Sequence, residues 1–212
     1  MSTRHVLDVS EMPGTALDHR SPIWWGNTLL LFIETAMFGI LVAAYFYLRL
    51  QFEQWPPPLV SHMPPDGHPL PELPVALAGL AVLIVSAAPM ALSDWAALHR
   101  RTRLVVWGVA LTILLGLGVI VLRWFEFHAL KFRWDENAYG SITWLILGMH
   151  FTHLIVGTCE NSIMLAWVLT HGLDDKHARD IRITAFYWYW IVAIWLILFA
   201  IVYFTPRLAG AV

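Results

Sequence analysis

The sequence predicts an all-α, polytopic membrane protein, a bundle of five transmembrane helices. Three observations carry this. Of 212 residues, 58% are hydrophobic and only 13% charged, about half the charged fraction of an ordinary soluble domain (~25%). Five apolar stretches are long enough to cross a hydrocarbon core, which takes about 20 residues of helix. The strict alternation of a barrel strand is absent, and backbone groups in lipid need partners within their own segment, so each stretch is read as a helix.

The first 22 residues are polar and punctuated by Pro and Gly. They lack the short apolar core and small-residue cleavage site of a signal peptide and read as an arm leading into the first span. The spans are then placed at Trp24–Leu50, Leu73–Leu98, Leu104–His128, Tyr139–Thr170 and Ile183–Phe204. Pro89 falls inside the second, where it should bend the helix, and the small residues beside it favour close packing. The fourth stretch is long enough to tilt or to project into the headgroups. The division expected is an arm over 1–22, a five-helix domain over 23–207 and a tail over 208–212.

Lys and Arg placement sets orientation. Arg4, Arg20, Arg100, Arg101, Arg103, Lys176, Arg179 and Arg182 fall on the side of the N-terminus; Arg49, Arg123, Lys131, Arg133 and Arg207 fall on the other. The bias favours an inside N-terminus and an outside C-terminus. Trp24, Trp25, Trp55, Trp107, Trp124, Trp134 and Trp144 lie near span ends, as interface aromatics do. The first connection is Pro-rich; its His62 and His68 lack further spaced ligands and read as surface residues. The net charge of −2 suggests no nucleic-acid partner. The lone Cys159 excludes an internal disulfide or a CxxC pair, and reads as a small packing residue. No internal repeat supports a repeat-built transporter.

Function in a membrane span is sought at its polar side chains. Glu34 lies about ten residues into the first span and Glu160 about ten from the inner end of the fourth, so both carboxyls are expected in the inner half at similar depth; His150 and His153 are expected in the outer half. A charge at midplane costs about 2.5–3.5 kcal/mol on insertion scales, so Glu34 should face protein, bound lipid or trapped water. At the helical 100° per residue, His150, His153, Gly157, Glu160 and Met164 fall within an arc of about 80°. Such a stripe faces a partner. Haem ligation calls for histidines on facing helices, whereas these two share one helix. A metal would want a supporting carboxylate pattern that is not evident, and a proton wire would want polar groups through the full thickness, of which Glu34, His150, His153 and Glu160 supply part. A structural stripe, bonding between helices or holding a lipid, is the favoured reading. Arg123 and Glu126, three apart, are read as a local ion pair near the outer interface, with Arg123 snorkelling.

Taken in order, these landmarks are similar to those of subunit III of the haem-copper terminal oxidases, the cytochrome c oxidase subunit III family. IETAMFG puts Glu34 at the family's helix glutamate. Trp55, Pro56 and Pro57 match its Trp-Pro-Pro loop. FEF gives Glu126, and YGS gives Tyr139, Gly140 and Ser141. GMHFTH supplies the paired His150 and His153, and the last helix carries Tyr187, Trp188, Trp195 and Tyr203. The resemblance runs from Trp24 onward and fits a divergent five-helix bacterial form, lacking two helices that many relatives carry. Phe151 replaces a glycine between the histidines, Tyr189 and Val192 stand where the family has His and Asp, and Glu160 is extra to the pattern, a possible replacement polar contact.

The resemblance implies a non-catalytic subunit in the bacterial plasma (inner) membrane, with no haem or copper in this chain. Those groups are expected in its partners, catalytic subunit I and subunit II. It implies phospholipid held in a cleft and support for proton uptake during O₂ reduction. Glu34, His150, His153, Glu160, Arg123 and Glu126 are then lipid-facing or structural polar residues. An accessory subunit of a quinol oxidase or nitric oxide reductase, or an independent ion or proton transporter using Glu34 and Glu160, remain the alternatives.

Overall fold

A computed structural model describes residues 22–57 and 70–209; His62 and His68 lie outside them, as do Arg4 and Arg20. Five long helices, α1 (Pro22–Arg49), α2 (Leu73–Leu98), α3 (Thr102–Ala129), α4 (Ala138–His171) and α5 (Asp175–Phe199), are followed by a π-helical turn (Ala200–Phe204) and a short α6 (Thr205–Ala209). All five are long and apolar enough to span a membrane, and no strand occurs among the described residues. The protein is a multi-pass membrane protein.

Packing follows side-chain size. α2, α3, α4 and α5 form a ring in which each touches the next, and α1 lies outside it against α4 and α5. α1 buries only Leu31, Phe38 and Tyr45, a line with seven-residue spacing that gives one narrow seam. α2 runs on through Pro89. The close packing expected there is present: a methyl group on Gly108 of α3 would come within 2.7 Å of the Pro89 carbonyl oxygen and 2.2 Å of Ser93 Oγ.

The α2–α3 and α4–α5 turns lie on one side, joined by an Arg100–Asp175 ion pair and by Arg182 Nε donating to Asp94 at 3.1 Å. On the other side Lys131 meets Glu72 at 3.2 Å, and Arg207 donates to the Pro71 carbonyl. That is the pattern five alternating crossings require.

α5 starts at Asp175 instead of at Ile183. The charged run before Ile183 hides an amphipathic turn, in which Ala178 and Ile181 are buried beside Val105 and Val168. Asp174 caps this helix by accepting the His177 backbone N–H at 2.8 Å. That bond, with further help from the His177 ring, holds the Asp174 carboxyl below the usual carboxylate range.

Two other expectations are corrected. Trp55 is no interface aromatic: it is 7% exposed, stands edge-on to Tyr45 and Tyr139, and donates its indole N–H to Tyr45 Oη at 2.9 Å. Cys159 is not packed inside but exposed on α4, because its position falls off the helix's inward face.

Candidate functional site

α4 carries the polar stripe, and its neighbours receive it. His153 Nδ1–H donates to the Met149 carbonyl at 2.6 Å. Its Nε2 lies 3.0 Å from Glu34 Oε2 on α1. With Nδ1 occupied as a donor, the Nε2–Oε2 bond holds a single proton, either as imidazolium and carboxylate or as neutral imidazole and carboxylic acid. Phe38 and Trp190 pack on the His153 ring, and Trp190 donates to Thr35 Oγ1 at 2.8 Å. These bonds fasten the lightly packed α1 to α4 and α5.

Glu34 therefore stands level with His153, which corrects its expected match in depth with Glu160. Glu160 is seven positions further along α4, about 10 Å at 1.5 Å per residue, and accepts the Thr184 hydroxyl of α5 at 2.9 Å. Counting inward from span ends failed because α4, at 34 residues, outruns α1 at 28.

His150 is fully buried. Its Nε2–H donates to the Ile191 carbonyl at 3.2 Å, and its ring stacks on Trp195 at 4.4 Å between centroids. The Arg123 guanidinium also lies over Trp195, 3.8 Å from the ring centroid. Arg123 Nη1 donates to both Glu126 oxygens at 2.8 Å, and Glu126 also accepts the Tyr203 hydroxyl. The expected ion pair is present, but its snorkelling is not: Arg123 is 2% and Glu126 4% exposed. The Glu126 carboxylate and the Trp195 face hold the Arg123 guanidinium inside the bundle.

The sequence motifs prove to be joints. Gly140 sits where any side chain would meet the Arg133 carbonyl oxygen, 2.3 Å from an added Cβ. Asn137 caps α4 by accepting the Gly140 N–H at 2.8 Å, and Ser141 donates to the Trp134 carbonyl at 2.6 Å. Tyr139 then faces Trp55, so the Trp-Pro-Pro and Tyr-Gly-Ser motifs meet; of the prolines, Pro57 is buried and Pro56 half-buried. Trp188 donates to Ser86 Oγ of α2 at 3.0 Å and fills the space left by Gly116 of α3 and Gly157 of α4. Tyr187 is buried and stacks on Trp190. Where the family pattern has His and Asp, Val192 is buried, while Tyr189 lines an open apolar groove between α1 and α5 with Thr28, Phe32, Thr35, Phe186 and Trp190. Glu160 makes its polar contact with Thr184 of α5.

Sequence reading missed Thr35, Thr184, Trp190 and the Ile191 carbonyl. A hydroxyl within a span gives little signal, because it can bond its own helix backbone, and a carbonyl gives none. Trp190, within YWYW, was visible but unassigned. Among the described residues no group of three or more His, Cys, Asp or Glu side chains could hold a metal ion.

Five apolar spans, tied together by polar contacts between helices, define a multi-pass integral membrane protein. Residues 8–206 match the family described as cytochrome c oxidase subunit III. Cytochrome c oxidase subunit 3 of Pan troglodytes and that of Homo sapiens are each 28% identical over 189 residues, covering 87% of this chain and 72% of the relative. The protein of Cyprinus carpio is 27% identical over the same shares. The chain belongs to the cytochrome c oxidase subunit III family and is a subunit of a haem-copper oxidase.

The buried pair yields a test. Arg123→Leu or Glu126→Leu alone should lower stability by about 3–5 kcal/mol, by stranding the partner charge. Arg123→Leu/Glu126→Leu should cost far less than the sum of the two. Thermal unfolding of the purified complex reads this; additive losses would mean that the two residues do not act as a pair.

Proposed function

We propose that this chain is the haem- and copper-free subunit of a bacterial plasma-membrane oxidase. It packs against catalytic subunit I within a complex that includes subunit II, holds phospholipid, and supports proton uptake during sustained O₂ reduction. In that reading the polar residues Glu34, His150, His153, Glu160, Arg123 and Glu126 fix helices and lipid and do no redox chemistry. The observation that carries it is the Glu34–His153 bond beside the α1–α5 groove. The groove walls are apolar, as acyl chains require, and Trp190 contributes both to the groove and to the packing around His153. The transporter reading is weaker, because Glu34 and Glu160 are each engaged by a separate partner, His153 and Thr184.

The Lys and Arg bias supports an inside N-terminus. Reporter fusions at Arg101 and Lys176 should then report cytoplasm, and a fusion in the Pro-rich loop after α1 the opposite side. The reverse pattern at all three would overturn the orientation.

Glu34 tests the role. Glu34→Gln keeps the shape and a hydrogen bond to His153, and should assemble and turn over nearly as wild type. Glu34→Leu strands His153, at a cost of about 1–3 kcal/mol. It should give an oxidase that starts at the normal rate, then loses activity over many turnovers as lipid or this subunit dissociates. O₂ consumption, with subunit stoichiometry measured on the same sample, reads both. Wild-type behaviour of Glu34→Leu would remove Glu34 as an anchor; loss of the initial rate in Glu34→Gln alone would favour a proton-transfer role.

A further inference from the structure

The stack of Arg123, Trp195 and His150 holds three buried nitrogens that no protein group bonds. Arg123 Nε, Trp195 Nε1 and His150 Nδ1 are each buried without a partner. The residues are 2%, 0% and 0% exposed. They come from three helices, α3, α5 and α4, and Arg123 and His150 each lie against the Trp195 ring, which both can do only from its opposite faces. Their hydrogen-bonding characters differ. Arg123 Nε and Trp195 Nε1 carry hydrogens and can only donate. His150 Nε2 spends its hydrogen on the Ile191 carbonyl, which leaves Nδ1 of the neutral ring as an acceptor. Two donors and one acceptor around one indole ring want a ligand that accepts and donates at once.

We propose that this layer is a binding site for internal water, one or two molecules held between α3, α4 and α5 by Arg123 Nε, Trp195 Nε1 and His150 Nδ1. Water accepts from the two N–H groups and donates to the imidazole, and sites with two to four polar partners are where buried water is found. A small anion fits less well. The Arg123 charge is already met by Glu126 at 2.8 Å, and the Nδ1 lone pair would repel a second negative charge. A cation is opposed by both N–H groups. The site gives His150 a purpose apart from metal binding: it joins α4 to the α5 backbone through one nitrogen and to the α3 arginine layer, through water, by the other.

The test is a structure of the intact, detergent-solubilised oxidase at a resolution that shows ordered water, for wild type and for Trp195→Phe, which keeps an aromatic ring for stacking but lacks the indole N–H. The expected wild-type result is a water peak about 2.7–3.2 Å from His150 Nδ1 and from at least one of Trp195 Nε1 and Arg123 Nε. In Trp195→Phe that peak should be lost or should move onto Arg123. The same preparation grown with bromide, examined at the bromine absorption edge by X-ray diffraction, distinguishes the rival ligand. A bromide peak in the layer would overturn the proposal. So would a wild-type structure in which the three nitrogens bond protein or lipid atoms directly. If Trp195→Phe does not assemble, the wild-type map alone decides.

Discussion

Hydrocarbon offers a polar side chain no partner, so such a group within a span turns to its own helix backbone, to another helix or to enclosed water. That constraint organises this chain. Three polar side chains of α4 reach across to neighbouring helices: His153 meets Glu34 of α1, while His150 meets the Ile191 backbone and Trp195 of α5 and Glu160 meets Thr184 of α5. Between helices that are equally apolar to lipid and to one another, such contacts and close packing supply the specificity that hydrophobicity cannot.

Close packing does the complementary work. Gly116 and Gly157 clear the space that Trp188 occupies, and Gly108 admits the Pro89 carbonyl. At the other end of the bundle, Trp55 bonds Tyr45 Oη, which shares a hydrogen bond with Thr205 at 2.8 Å. Trp55 also packs on Tyr139, so the loop after α1, the start of α4 and the final short helix are tied at one point. The family's motifs thereby acquire a mechanical meaning: they mark where chain segments far apart in sequence lock.

The five spans were legible because length and hydropathy decide whether a segment can cross a membrane. The start of α5 was not, because a charged helical turn at the membrane surface looks like a loop until Asp174 is seen to cap it and Ile181 to be buried. The stripe on α4 was legible from the 100° rule, since periodicity gives a direction. Depth was not: Glu34 was matched with Glu160 by counting from helix ends, and unequal helix lengths broke the count. Arg123 was assigned to the headgroups because a charge near a span end commonly snorkels. The sequence could not show that Trp195, 72 positions later, would lie under its guanidinium. Trp55 misled for a related reason, since position near a span end does not distinguish an indole facing lipid from one buried in a joint.

The central claim is that this chain serves an oxidase by assembly and carries no redox centre of its own. The direct measurement is purification through an affinity tag on this chain in mild detergent, with the visible spectrum and subunit composition taken before and after the subunits are separated. The account predicts a haem spectrum in the intact complex that follows the larger partner on separation, leaving this chain colourless and free of copper. Haem or copper retained in stoichiometric amount by the isolated chain, or a chain that purifies alone from membranes containing active oxidase, would contradict it.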